Sequence, residues 1–128
     1  MKDYIQYLLS LEPKGIKLGL ERTEALLNTC KNPQKNFYSI QVIGTNGKGS
    51  TSAMMANILK VAGYKVGLYT SPHLCTINER IRINGQSISN APIIDFIDTY
   101  KQKIEQLNSS FFETITALAV WYFNQQNI

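Results

Sequence analysis

The sequence predicts an α/β fold: a parallel sheet with helices on both faces, incomplete in outline, carrying a small β-hairpin insertion. Three observations predict it. FYSIQVIG, residues 37–44, is rich in β-branched and aromatic residues and free of charge, the pattern of a strand buried on both faces. From Ser50 onward the apolar residues recur at helical spacing, and KVGLYT, residues 65–70, reads as a second strand. Strand, glycine-containing loop, helix and strand over about 30 residues make a βαβ unit, whose crossover is right-handed above a parallel sheet.

The remaining elements come in order. Tyr4, Ile5, Leu8 and Leu11 share a helical face that Pro13 and Gly15 end, and GIKLGLER, residues 15–22, reads as a loop. Thr23, Leu26, Leu27 and Cys30 form a second stripe up to Asn32-Pro33. In the central helix Met54, Ile58 and Val61 share one face, Met55, Leu59 and Ala62 the next, and Gly63 offers a C-terminal cap. Ile81 and Ile83 alternate with Arg80 and Arg82 before Asn84-Gly85, a dipeptide that tolerates positive φ at both positions and predicts a hairpin. Pro92 opens a helix bearing Ile93, Ile97, Tyr100, Ile104 and Leu107. The last helix starts at Ser110, placed three residues before Glu113 at capping-box spacing, and is apolar on nearly every side. Its burial requires a large neighbour, and an uncovered face there predicts aggregation.

At 128 residues the chain holds one domain or part of one. Hydrophobic residues at 44% and charged residues at 17% exclude a disordered or coiled-coil chain. The net charge of +4 favours anionic partners, yet the basic residues are scattered and form no nucleic-acid-binding tail. Cys30 and Cys75 belong to no CxxC pair, so neither a zinc cluster nor a disulfide framework is implied. The N-terminal stretch has acids inside its apolar run and no secretory cleavage pattern, and no segment approaches the ~20 apolar residues of a membrane span. A soluble, cytoplasmic protein is the expectation.

VIGTNGKGST, residues 42–51, carries the chemistry. A glycine-rich turn between strand and helix aims several backbone N–H groups and the positive end of the helix dipole at one point, which suits phosphate. Lys48 adds a mobile positive charge, and Ser50 or Thr51 offers a hydroxyl to an accompanying Mg²⁺. The spacing departs from GxxxxGK[ST], because Gly49 stands between the lysine and the hydroxyl residues. The competing structural reading is a tight Asn-Gly turn with a solvent-facing lysine.

GTNGKGST, GLYTSPHL, NERIRING and FFETITALAVWYF, in that order and spacing, resemble the folylpolyglutamate synthase family, including its bifunctional dihydrofolate synthase form, within the ATP-dependent Mur ligase superfamily. The resemblance runs over essentially all of the chain and about the first third of a typical member. It implies a fold like the Mur ligase central domain, with residues 1–128 as the N-terminal part of the ATP-binding domain and the glutamate-binding domain beyond it. It also implies a ligase: ATP phosphorylates a folate or dihydropteroate carboxylate, and the amine of L-glutamate attacks the acyl phosphate, releasing ADP and phosphate. A complete protein of this kind is expected to be a monomer working on small molecules, without nucleic acid or membrane.

Residue by residue, the resemblance implies that Asn46, Gly47, Lys48, Gly49, Ser50 and Thr51 cradle the triphosphate, with Lys48 as the catalytic cation. Ser71 becomes a Mg²⁺ ligand, while Lys17, Leu18, Gly19 and Leu20 together with Ser110, Phe111, Phe112 and Glu113 become folate contacts. Lys17 stands where bifunctional members often carry an acidic residue, which bears on dihydropteroate use. His73 is placed in a loop near the folate, and Arg80 and Arg82 face either an anionic substrate or solvent. The family's remaining metal ligands and adenine contacts lie further along than residue 128, so turnover by these residues alone is not expected. Two rival readings stand beside the ligase: another P-loop phosphotransferase such as a small kinase, with Glu79 or Glu113 as its acid, and a nucleotide-binding module without catalysis of its own.

Overall fold

The most apolar helix organises the core. In the computed structural model, which describes residues 2–15 and 18–128, helix α5 (Phe111–Gln125) is surrounded by α1 (Lys2–Ser10), α2 (Glu21–Thr29), α4 (Asn90–Leu107) and strand β1 (Gly67–Tyr69). Leu8, Leu26, Ile93, Phe96, Ile97, Ile104, Ile115 and Leu118 are fully buried between these helices. Trp121 of α5 lies against Phe96 of α4, their ring centroids 5.3 Å apart. The apolar face expected to be left open on the Ser110 helix is therefore covered, because the N-terminal helices supply the neighbour it needs.

The capping box forms as the spacing predicts. Ser110 Oγ accepts from the Glu113 N–H at 3.2 Å, and Glu113 Oε2 accepts from the Ser110 N–H at 2.9 Å. Two of the helix's first N–H groups are thereby satisfied. Helix α4 starts two residues ahead of Pro92, with Ser89 as its N-cap.

The hairpin also forms. Strands β2 (Ile81–Ile83) and β3 (Gln86–Ser87) meet through Asn84 and Gly85, whose φ values of 49° and 84° are those the dipeptide tolerates. Asn84 does a second job: its N–H donates to Val66 O and its Oδ1 accepts from Val66 N–H, both at 2.9 Å, fastening β1 to the turn.

The sheet departs from expectation. It has three strands in the order β1-β2-β3, and both pairings are antiparallel. Residues 37–44 form no strand, so the parallel pairing expected of the βαβ unit is absent among the described residues. A strand of that composition requires partners on its edges and apolar cover on its faces, and β propensity cannot replace them. Here Tyr38 is 103%, Ile40 66% and Ile43 81% exposed. The next helix, α3 (Lys48–Val61), likewise has no buried residue, and Met54, Ile58 and Val61 face outward. Its C-terminus is well made nonetheless: Gly63 at φ 100° lets its own N–H reach Lys60 O and the Tyr64 N–H reach Leu59 O, each at 3.0 Å. Among the described residues no helix is long and apolar enough to cross a membrane.

Candidate functional site

The glycine-rich loop runs directly into a helix. Gly47 is the N-cap of α3 at φ 77°, a left-handed conformation that suits glycine, and Thr51 N–H closes the first helical bond to Gly47 O at 2.9 Å. The N–H groups of Lys48, Gly49 and Ser50 belong to the first turn, where a helix has no acceptors of its own. No acidic residue occupies that turn, so the positive end of the dipole is not neutralised. Residues 43–51 are exposed, and a Cβ built on Gly47 or Gly49 would meet nothing within 4 Å. Lys48 Nζ folds back over the loop and donates to Gly44 O at 2.5 Å. The arrangement offers an anion clustered amides, an ammonium group and two hydroxyls.

A second loop leaves β1. Thr70 N–H donates to Arg80 O at 2.9 Å, the Ser71-Pro72 peptide is cis, and the Ser71 side chain is exposed. Glu79 shapes the rest of this loop: its carboxylate accepts from the N–H groups of Leu74 at 3.0 Å, Cys75 at 2.8 Å and Thr76 at 3.0 Å. Those amides of Leu74, Thr76 and Cys75 hold the Glu79 carboxyl below its ordinary range. Thr76 and Glu79 form a capping box at the head of the short turn Ile77–Arg80. Arg80 is buried, and its Nε donates to His73 Nδ1 at 2.8 Å while its guanidinium lies 5.0 Å from the centre of the Phe111 ring. It is turned away from open solvent, whereas Arg82 is half-buried on β2.

The two segments expected to contact folate come together. Arg22 donates through Nε to Glu113 Oε1 at 3.0 Å and Oε2 at 3.1 Å, and through Nη2 to Leu18 O at 3.1 Å. One guanidinium thus ties the 18–20 turn to the start of α5. Burial pushes the Glu113 carboxyl up, but the Arg22 guanidinium and the Ser110 N–H outweigh it and the net displacement is downward. Leu18, Leu20 and Phe112 are exposed, and Phe112 stacks on Tyr69 with centroids 6.4 Å apart. Phe111 is buried, so of the two aromatic residues only Phe112 presents a ring to the surface. Lys17 lies outside the described residues. Among the described residues no group of three or more His, Cys, Asp or Glu is placed to hold a metal ion.

No family model matches the chain. It is 40% identical over 134 residues to the folylpolyglutamate synthase of Lacticaseibacillus casei, an alignment covering 98% of this chain and 31% of that protein. The crystal structure of folylpolyglutamate synthase from Thermotoga maritima superposes with a TM-score of 0.88 at 41% identity, over 99% of this chain and 31% of that one. The chain belongs to the folylpolyglutamate synthase/dihydrofolate synthase family. It spans about a third or less of the length of the relatives it matches. A solved family structure, an FPGS complex with AMPPCP and folate, matches with a TM-score of 0.87 at 36% identity, over 98% of this chain and 32% of that chain.

Three contacts in this folylpolyglutamate synthase-family chain were not read from its sequence. The Thr76–Glu79 capping box had a local signal, T-x-x-E within TINE, at the same spacing as the one recognised at Ser110. The Arg22–Glu113 pair had none, since 91 positions separate its members. Arg80 and His73 are seven apart across a loop, a separation that fixes no geometry.

Proposed function

We propose that these residues form the phosphate-binding part of an ATP-dependent ligase that joins L-glutamate to the carboxylate of a folate or a dihydropteroate. What carries the reading is the exposed loop from Gly44 to Thr51 opening onto the first turn of α3, in a chain whose solved relatives include a complex with an ATP analogue and folate. In this reading residues 1–128 are the N-terminal part of a Mur ligase-type ATP-binding domain, and the parallel sheet expected around residues 37–44 belongs to the complete fold. A glutamate-binding domain would be a separate region.

Asn46, Gly47, Gly49, Ser50 and Thr51 would surround the β and γ phosphates with N–H and O–H donors. Lys48 would leave the Gly44 carbonyl for the transferring phosphoryl group, where negative charge is spread over the equatorial oxygens. Such a reaction requires donors and positioning and no protein nucleophile. Magnesium prefers hard oxygen ligands and retains several waters and phosphate oxygens, which fits a site whose protein donors are the hydroxyls of Ser71 and of Ser50 or Thr51. Bound there, the ion would neutralise phosphate charge. The carboxylate would take the γ-phosphoryl group of ATP to become an acyl phosphate, with ADP leaving, and attack by the glutamate amine on that acyl phosphate would form the amide and release phosphate. Leu18, Gly19, Leu20, Phe112 and the Arg22-braced Ser110–Glu113 turn would form one wall of the folate site, with Lys17 beside it; Phe111 would act from behind. The complete protein would act as a cytoplasmic monomer.

A kinase-like reading finds less support, because the acids it would use are already engaged: Glu79 with three amides, Glu113 with Arg22 and Ser110. A nucleotide-binding module without catalysis is the second reading, since an exposed loop of amides, a lysine and hydroxyls is enough to hold a triphosphate without turning it over. Incubating the complete protein with ATP, L-glutamate and a folate separates the two: an elongated product with equimolar ADP and phosphate supports the ligase, and nucleotide binding without product supports the module. Lys48→Ala should weaken AMPPCP binding by calorimetry at least about tenfold, the worth of one charge-assisted contact. Unchanged affinity in that variant removes Lys48 from the site.

A further inference from the structure

Among the described residues, Arg80 and Glu113 are the buried charged side chains. Glu113 meets its opposite charge in Arg22, whereas Arg80 meets a ring nitrogen and an aromatic face. An arginine stays protonated, so its Nε–H needs an acceptor wherever it is buried. The acceptor here is His73 Nδ1, which requires the sole histidine to carry its proton on Nε2. Three pieces of chain converge on Arg80: the end of β1, through Thr70 N–H on its carbonyl; the 71–76 loop, through His73; and the first residue of α5, through Phe111. The same loop is held from its other end by the amides on Glu79.

We propose that Arg80 is a positioning residue whose Nε–H···Nδ1 bond to His73 locks the loop bearing Ser71 onto the N-terminal turn of α5, so that Ser71 and the Ser110–Glu113 segment are set as one unit. A planar guanidinium can do this because it donates in a fixed direction while stacking on Phe111; a lysine ammonium keeps the charge and loses the direction. The consequence for the ligase rests on the reading of Ser71 as a metal ligand. The lock itself does not.

Nitrogen-15 spectra of the chain resolve the point, since one histidine gives one pair of ring signals. At about pH 8.5, where a free imidazole is neutral, His73 Nδ1 should be unprotonated and displaced from its unbonded position by an accepted hydrogen bond. Arg80→Met, which keeps the stem and removes the donor, should return that signal to the unbonded position and raise amide exchange over residues 71–76 at least about tenfold. Arg80→Lys should restore neither. Should Arg80→Met fail to fold by circular dichroism, His73→Phe leaves Arg80 against Phe111, removes the acceptor, and must produce the same rise in exchange. A protonated or unbonded Nδ1 in the parent chain, or unchanged exchange over 71–76 in the folded variants, overturns the proposal. Loss of AMPPCP binding in the parent would instead count against the ligase reading alone.

Discussion

At Glu113 a local rule and a distant contact act on one carboxylate. The capping box explains its place at the third residue of α5, while Arg22, from a helix 91 positions earlier, supplies the opposite charge that it meets. Its folded-state pKa is depressed from the ordinary 4.5, so the ionised form is favoured by folding. That contribution is present in full above about pH 5 and is lost as pH falls through the depressed value. Thermal melts should therefore show the parent losing stability on acidification more steeply than Glu113→Gln, and Arg22→Ala should flatten the same limb. Parallel profiles for parent and Glu113→Gln would remove the linkage. Phe111 and Phe112 make the complementary case: adjacent aromatic residues look equivalent in sequence, and only the packing turns one inward to Arg80 and leaves the other on Tyr69.

At the scale of elements, caps and turns behave as their spacing dictates, because their chemistry is complete within a few residues. Ser110→Ala removes the oxygen that accepts the Glu113 N–H and should cost about 1 kcal/mol in urea denaturation. A change of a few tenths or less would mean the Glu113 half of the box suffices. Gly67 on β1 is a different kind of constraint, invisible locally: a Cβ there would stand 2.7 Å from Phe123 Cδ1, inside contact distance of a buried ring. Gly67→Ala should destabilise the chain by roughly 1–3 kcal/mol, the usual penalty for overpacking, and a neutral result would show that β1 can shift away from α5. The 37–44 segment shows the limit of propensity. Its residues suit a strand, yet strand formation takes a hydrogen-bonded neighbour, and the chain offers it none among the described residues.

For the whole molecule, the covered and uncovered surfaces fall differently from the sequence expectation. The Ser110 helix is largely buried, with Phe112 left at the surface; Tyr38, Ile40, Ile43, Met54, Ile58 and Val61 are exposed. Large apolar side chains left in water in that number should drive self-association. Light scattering of the 128-residue chain should rise steeply with concentration, and the pair Ile40→Lys with Ile58→Lys should suppress it without lowering the melting temperature, since neither side chain is packed in the core. Scattering unchanged by that pair would place the sticky surface elsewhere.

The amino-acid sequence by itself determined the helix stripes, the N-terminal cap of α5 and the C-terminal cap of α3, the Asn84-Gly85 turn, and the glycine loop at a helix entrance. Each depends on contacts among residues close in sequence, whose geometry the chain cannot avoid. Only the tertiary structure decided that β1 pairs antiparallel with the hairpin, that Arg22 reaches Glu113, that Arg80 turns inward to His73, and which apolar helix is buried. Those outcomes depend on which distant surfaces come within contact range, and burial is a property of neighbours that no local pattern of residues contains.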